Sequence, residues 1–344
     1  MRYNELTPYG GVLMGLCFLL SLTAGIALIP LFRFYKKGIY EPHIGDRLRN
    51  DDSAPRFGGA LMMLGVVFGG AGGCAVLSVK GGFDGAGQRR LIAALIFSAL
   101  AFAAGFLQDY IKQKLNRPAG LKGSLLFLFL FGICVSFLVS LRLISGLTGE
   151  VLLPFRLGFL SMGVFYYPVM GLVMTLCIYA FSIHDTYGGE EEYCCEGLMG
   201  ITFMLVSLFF AVMGVGECSL LGYISAGSAA GLLIWSFYPA KIYFGESGQL
   251  LCGALFCANC IISGKDLLLI FLPVSAIIDM LTSFIRFVYY RHTKRVLLLG
   301  GSLHAHIKKK GVGDVRVILW SLPITLAGIA AGTAFWIYSE NILS

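Results

Sequence analysis

The amino-acid sequence predicts an all-α, polytopic integral membrane protein with about ten transmembrane helices and both termini outside the cytoplasm. Two observations predict this class. Of the 344 residues, 57% are hydrophobic and only 13% are charged, with a mean hydropathy of +0.81, whereas soluble proteins carry about a quarter charged residues. The apolar residues also fall into runs of about 20, the length that crosses a bilayer as a helix. An ordinary soluble enzyme, a nucleic-acid-binding protein and a disordered scaffold are therefore excluded.

Ten apolar runs are candidate spans, and short connections separate them without a repeat or a long linker. We therefore expect one transmembrane domain over residues 1–344. Glycines cluster inside several runs, as at positions 69–73, and suit a close approach of helices in lipid. The predicted spans are 9–32, 58–77, 91–107, 125–141, 158–183, 198–216, 218–237, 249–263, 267–288 and 315–339.

The basic residues predict the orientation of these spans. The odd-numbered connections hold 17 of the 26 Lys and Arg residues, and the even-numbered connections with the N-terminus hold 7. Because cytoplasmic loops of membrane proteins are enriched in Lys and Arg, we expect the odd-numbered connections to be cytoplasmic. An even number of spans then places both termini outside.

The odd-numbered connections also carry most of the polar residues that could do chemistry. A transporter would more naturally place such residues at mid-span, and Asp279 in the ninth predicted span is the one candidate for that position. Polar groups at cytoplasmic helix ends instead suit an enzyme with one water-soluble and one lipid substrate. The polar stretches are 47–59, 105–112, 184–196, 236–249 and 302–308.

Each polar element has a simple structural interpretation when it is taken alone. Asp109 could be a solvated helix end, Glu190–Glu192 a solvated loop, and His304 with His306 a contact to anionic lipid headgroups.

Taken in order, however, the polar elements resemble the phospho-N-acetylmuramoyl-pentapeptide transferase family, within the polyprenyl-phosphate N-acetylhexosamine-1-phosphate transferases. The resemblance covers about residues 45 to 320. The stretches that carry it are Ala54–Gly59, Gly105–Lys112 followed by Gly120 and Leu121, Ser236–Gln249, and Ser302–Lys308 followed by Gly311.

The resemblance implies a diverged transferase that moves a phospho-sugar from a UDP-sugar to undecaprenyl (polyprenyl) phosphate and releases UMP. The UDP-sugar would be UDP-MurNAc-pentapeptide, and the reaction would serve peptidoglycan precursor synthesis. Mg²⁺ would offset the negative charges that meet during the transfer. The resemblance also implies a multi-pass protein of the inner (plasma) membrane with its active site facing the cytoplasm, and it allows a homodimer.

The site residues follow from the same resemblance, position by position. Asp109, Asp185 and Glu246 would be catalytic, with Asp109 and Glu246 as the metal ligands. Lys112 would hold phosphates as a point charge, and Tyr243 could stack on uracil. The substrate-binding residues would be Lys112, Tyr243, Ser236, His304 and His306.

Several polar positions depart from the family pattern. Gln108 replaces the first Asp of an Asp-Asp pair, Glu246 replaces an Asp, and Ser236 replaces an Asn. An active, diverged transferase and a catalytically inactive paralogue, kept as a membrane scaffold or lipid-carrier-binding protein, are therefore both open hypotheses. Further departures are Asp51 for Lys, Ala305 for the middle His of three, Lys308 for Glu, and an insertion that carries Glu190–Glu192 before Glu196-Gly197-Leu198.

Overall fold

The protein is described from a computed structural model, and its regular structure is almost entirely helical. The structure describes residues 7–36, 54–79, 85–114, 120–147, 149–154, 158–185, 195, 197–295, 297 and 301–343. The helices are α1 (Thr7–Lys36), α2 (Gly58–Val79), α3 (Gly85–Lys114), α4 (Gly123–Ser145), α5 (Tyr166–Asp185), α6 (Leu198–Met213), α7 (Glu217–Ser236), α8 (Gly245–Ile262), α9 (Leu268–Phe271), α10 (Val274–Thr293), α11 (Leu303–Lys309) and α12 (Asp314–Leu343).

Eight helices of the described part of the chain are long and apolar enough to cross a membrane. They correspond to eight of the ten predicted spans, and α6 is a shorter apolar helix at the position of the sixth. These helices confirm an all-α, multi-pass membrane protein. A helix satisfies its own backbone hydrogen bonds, which is why apolar segments of this length adopt it in lipid.

Two predicted spans differ from the structure. Residues 158–165 are not α-helical: strand β1 (Glu150–Leu152) pairs antiparallel with β2 (Phe159–Ser161), and a 3₁₀ turn follows before α5 begins. The ninth predicted span is divided between α9 and α10 at Pro273. Proline has no N–H for the helical ladder, so one continuous helix over 267–288 was the wrong expectation.

The most buried helices are α7 and α8, which lie at the centre of the bundle. Burial covers 89% of the spanning window of α8 and 78% of that of α7, against 28% for the peripheral α1 and α12. One apolar cluster joins residues of α1 through α9 and α12. The ends of α8 are therefore positioned by several neighbours at once, and its first turn forms the candidate site.

Candidate active site

The first turn of α8 is capped by a carboxylate from α3. Asp109 is only 2% exposed. Its Oδ1 accepts a hydrogen bond from the backbone N–H of Glu246, and its Oδ2 accepts one from Ser247, each at 2.9 Å. First-turn N–H groups lack partners within their own helix, and the positive end of the helix dipole favours a carboxylate. Asp109 therefore fixes α8 against α3.

Glu246 and Lys112 complete this group, which we call the α3–α8 cluster (Asp109, Lys112 and Glu246). Lys112 Nζ donates a hydrogen bond to Glu246 Oε1, and the two side chains are 25% and 20% exposed. The second carboxylate oxygen, Glu246 Oε2, is buried and has no hydrogen-bond partner among the described residues. Since buried polar atoms normally have a partner, this oxygen is a candidate to bind a ligand.

A glycine in α3 allows the two helices to come this close. A Cβ atom at Gly105 would overlap the carbonyl oxygen of Glu246 and would lie 2.6 Å from the Cα of Ser247. Real Cβ atoms do not approach a backbone so closely. The glycine four residues before Asp109 is therefore required for the carboxylate to reach the start of α8.

Two further predicted stretches meet at the same place through their backbones. The N–H of Gly58 donates to the carbonyl of Tyr243, and that of Gly59 donates to Phe244, each at 2.9 Å. The N–H of Tyr243 donates in turn to the carbonyl of Pro55 at 2.9 Å. Residues 55–59 and 243–244 are thus joined beside the α3–α8 cluster, although about 185 positions separate them in the sequence.

Gln108, which replaces an acidic residue of the family pattern, has a structural partner. Its side chain is buried, and its Oε1 accepts a hydrogen bond from the backbone N–H of Leu121 at 2.6 Å. The neutral amide therefore ties the segment that follows α3 back onto the end of that helix.

The remaining predicted residues lie in several places. Ser236 ends α7 and is buried, and its Oγ has no hydrogen-bond partner among the described residues. Tyr243 is half-buried in the connection to α8. The side chain of Asp185 lies outside the described residues, as do Asp51, Glu190–Glu192 and Glu196.

His304 belongs to a second polar group, the His–Asp–His cluster (His184, Asp279 and His304). Asp279 Oδ2 lies 2.6 Å from Nδ1 of His184 and 2.8 Å from Nδ1 of His304. The backbone N–H of His304 also donates to Asp279 Oδ1 at 3.2 Å. Asp279, the one predicted mid-span acid, thus has hydrogen-bond partners within the helix bundle. The feature that favoured a transporter is therefore explained by packing.

His306 follows His304 by two residues on α11 but does not belong to the His–Asp–His cluster. It is half-buried. Partial burial and the nearby positive charge of Lys310 hold the pKa of the His306 imidazole below its usual value. Its neutral form is therefore favoured.

The α3–α8 cluster fits a magnesium ion held by few protein ligands. Mg²⁺ prefers oxygen ligands and is commonly bound by one or two carboxylates together with waters and substrate phosphates. Glu246 Oε2 is an open carboxylate oxygen. The oxygens of Asp109 each accept one hydrogen bond, and an ionised carboxylate has further lone pairs.

Comparison with known proteins decides the family. The sequence model of glycosyl transferase family 4 matches residues 91–264, just over half of the chain. The chain belongs to glycosyl transferase family 4. The matched region runs from α3 to the end of α8 and therefore includes all three residues of the α3–α8 cluster.

Known relatives are similar to this chain along nearly their whole length. The phospho-N-acetylmuramoyl-pentapeptide-transferase of Clostridioides difficile (strain 630) is 24% identical over 337 residues, which cover 93% of this chain and 96% of the relative. The protein of the same name from Desulforudis audaxviator is 26% identical, covering 92% and 95%. That of Desulforamulus reducens is 25% identical, covering 95% and 97%. The predicted family is confirmed.

The sequence alone did not identify the His–Asp–His cluster. In the sequence, Asp279 stands alone within an apolar run, and His184 is one residue of the polar stretch 184–196. The available signal was that a buried ionisable residue needs a partner. Which helix supplies that partner depends on packing, and sequence spacing does not determine it.

Proposed function

We propose that this member of glycosyl transferase family 4 is an active phosphoglycosyl transferase. It moves a phospho-sugar from a UDP-sugar, UDP-MurNAc-pentapeptide, to undecaprenyl phosphate and releases UMP in peptidoglycan precursor synthesis. The observation that carries the proposal is the open carboxylate oxygen of Glu246 beside Lys112 at the capped start of α8. The names of the relatives supply the substrate class.

The three charged residues have separate roles in this reaction. Lys112 would bind a substrate phosphate through its ammonium group, which in the structure pairs with Glu246. Glu246, with Asp109, would hold Mg²⁺, which when bound neutralises phosphate charge as the transfer proceeds. Asp109 also positions Glu246, because both of its oxygens accept N–H groups of the first turn of α8. In the transfer, an oxygen of the lipid phosphate would bond to the phosphorus of the sugar-bearing phosphate. The bond between that phosphorus and the bridging oxygen of the diphosphate would break, and the uridine-bearing phosphate would leave as UMP.

Tyr243 would recognise the uracil base. It is half-buried, and its backbone is held by Pro55 and Gly58, so its ring is supported on a fixed segment. An aromatic face stacks on a base whatever the sugar attached, and stacking is worth about 1–3 kcal/mol per base. The UDP portion and the sugar portion would thus be read by different residues.

The proposed orientation places the site at the cytoplasmic face of the inner membrane. The C-terminal end of α3 and the start of α8 meet at one end of the bundle. The connections at that end are the odd-numbered ones, which carry most of the Lys and Arg residues. A cytoplasmic site suits a charged, water-soluble UDP-sugar, while the lipid phosphate reaches it from the bilayer.

The test is release of UMP by purified protein in detergent or nanodiscs. The reaction contains UDP-MurNAc-pentapeptide, undecaprenyl phosphate and Mg²⁺, and each component is omitted in turn. We expect UMP and a lipid-linked product only when all three are present. Failure to release UMP from any UDP-sugar of a panel, by protein with an intact thermal unfolding transition, would contradict the proposal and favour the inactive scaffold.

A matched pair of variants tests recognition of the base. Tyr243→Ala is expected to raise the KM for the UDP-sugar by about tenfold or more, because stacking energy is lost. Tyr290→Ala removes an exposed tyrosine of α10 and is expected to leave the KM unchanged. An unaltered KM in Tyr243→Ala would reject stacking at this position.

A further inference from the structure

The His–Asp–His cluster brings three metal-ligating side chains together from three helices. His184 comes from α5, Asp279 from α10 and His304 from α11. Their residues are 1%, 4% and 4% exposed. One ligand atom from each lies within 4.8 Å of the other two. The atoms that converge are the two Nδ1 nitrogens and Oδ2 of Asp279.

A cation would suit the charge of this cluster, although hydrogen bonds already compensate the Asp279 carboxylate. A buried carboxylate is costly unless a positive charge or several hydrogen bonds compensate it. Asp279 faces two imidazoles, and with both rings neutral the cluster keeps a net negative charge. A proton shared with the rings would supply one positive charge, and a divalent ion at the same point would supply two.

We propose that the His–Asp–His cluster binds a divalent transition-metal ion of the zinc class. Two imidazole nitrogens and one carboxylate oxygen are a ligand set that zinc accepts, with a fourth position left for water or another oxygen. Imidazole suits zinc and its neighbours, whereas Mg²⁺ prefers oxygen ligands. The protein would then hold two ions of different chemistry, an oxygen-bound ion at the α3–α8 cluster and a nitrogen-bound ion here.

The distances require only a small adjustment. With metal–ligand bonds of about 2.0–2.2 Å, the ligand atoms of a tetrahedral site lie roughly 3.3–3.6 Å apart. The two contacts of Asp279 Oδ2, at 2.6 and 2.8 Å, are hydrogen-bond distances. Spreading each of these two pairs by less than about 1 Å would make room for the ion.

Two hydroxyl groups around the cluster support this assignment. Thr202 Oγ1 lies 3.1 Å from Nε2 of His184, so that Nε2–H can donate to it while Nδ1 binds the ion. Metal-ligating histidines almost always use their second nitrogen in this way. Ser302 Oγ lies 2.9 Å from Nδ1 of His304, which adds an oxygen beside the three ligand atoms. All of these groups are buried.

The bound ion would join α11 to the bundle. His304 lies in a helix of only seven residues, which is too short to be stable by itself. An ion shared with α5 and α10 would fix this short helix, which also carries His306. The proposal does not depend on the transferase reaction, because its three ligand residues are not those of the α3–α8 cluster and, among the described residues, make no hydrogen bond to them.

The test measures metal binding directly. Protein purified through a tag without histidine is stripped with a chelator, dialysed against Zn²⁺ or Co²⁺, and analysed by mass spectrometry for metal content. We expect one ion per chain and, with Co²⁺, the strong visible absorption of a four-coordinate site. His184→Ala is expected to lose both signals. His292→Ala, which removes an exposed histidine of α10, is expected to retain them.

A second variant keeps the test decisive if His184→Ala fails to fold. Thr202→Val preserves the shape of the side chain and removes only the hydroxyl that orients His184. Loss of such a partner lowers metal affinity by about 10–100-fold, and we expect that loss in a Co²⁺ titration. Folded native protein that binds neither Zn²⁺ nor Co²⁺, or equal binding in native protein and His184→Ala, would overturn the proposal and leave a purely hydrogen-bonded cluster.

Discussion

The α3–α8 cluster and the His–Asp–His cluster differ in how completely their polar atoms are hydrogen-bonded. In the first, Lys112 and Glu246 are partly exposed and Glu246 Oε2 has no hydrogen-bond partner among the described residues. In the second, Asp279 contacts both histidines and all three residues are buried. A partly exposed group with a carboxylate oxygen that lacks a partner is suited to binding substrate, whereas a buried, hydrogen-bonded group is suited to holding helices together.

The difference predicts that substitutions in the two clusters separate activity from stability. Changes in the His–Asp–His cluster should act mainly on unfolding. Changes in the α3–α8 cluster that spare its backbone contacts should act mainly on turnover.

Asp279→Ala should have the largest effect on stability. It leaves two buried imidazoles and the backbone N–H of His304 without their shared acceptor. Removing one partner of a buried ionic group typically costs about 3–5 kcal/mol, and we expect a loss in this range in denaturant or thermal unfolding. His292→Ala at an exposed position serves as the control and should change stability by less than about 0.5 kcal/mol. Equal unfolding of native protein and Asp279→Ala would show that the contacts are not stabilising.

Gly105→Ala should lower stability by less, and turnover as well. The added methyl group would overlap the backbone at Glu246 and push α3 away from α8. Overpacking of this kind costs about 1–3 kcal/mol. Gly132→Ala in α4 is a matched control, because a Cβ there meets no atom within 4 Å, and alanine favours a helix over glycine. Wild-type turnover in Gly105→Ala would mean that the close approach is not needed for the site.

Lys112→Met should affect turnover with little effect on stability. Its ion pair with Glu246 is partly exposed, so its loss should cost less than the roughly 3–5 kcal/mol for breaking a fully buried pair. The lost phosphate contact should instead reduce UMP release by about tenfold or more, as expected for a charged hydrogen bond of about 1.5–3 kcal/mol. Lys309→Met on α11 removes an exposed lysine and is expected to keep wild-type rates. A loss of stability in Lys112→Met without a loss of rate would contradict the assignment of Lys112 to substrate phosphate binding.

Lys310→Gln should have the smallest effect, a shift in one titration. Lys310 helps to hold the pKa of His306 below its usual value, after partial burial. Removing its charge should raise that pKa, so His306 becomes protonated at a higher pH than in native protein. NMR titration of labelled histidine can follow the change. A pKa that falls or stays constant would show that Lys310 does not act on His306.

Much of the fold could be predicted because length and hydropathy determine a membrane helix. The exceptions are local. Residues 158–165 are apolar but form a strand and a turn, and Pro273 divides an apolar run that composition alone makes continuous. Neither the strand and turn nor the break at Pro273 changes the hydropathy. A hydropathy pattern therefore could not predict them, and only the conformational preferences of the backbone could.

The candidate site could be predicted in part, from the order of its motifs. Asp109, Lys112 and Glu246 were expected together and do lie together. The use of both Asp109 oxygens as a cap for α8, and the contact between Gln108 and Leu121, could not be predicted, because each depends on which backbone groups packing leaves without partners. The pairing of Asp279 with two histidines could not be predicted either, because it also depends on packing.

Release of UMP by Glu246→Gln, titrated with Mg²⁺, tests the central claim most directly. Glutamine keeps the size of the side chain and an oxygen for Lys112, but it removes the negative charge from the open oxygen. We expect native protein to release UMP with a saturable dependence on Mg²⁺, and Glu246→Gln to be slower by a factor of about 10² or more while unfolding at an unchanged temperature. Native rates and an unaltered Mg²⁺ dependence in Glu246→Gln would contradict the assignment of the reaction to the α3–α8 cluster.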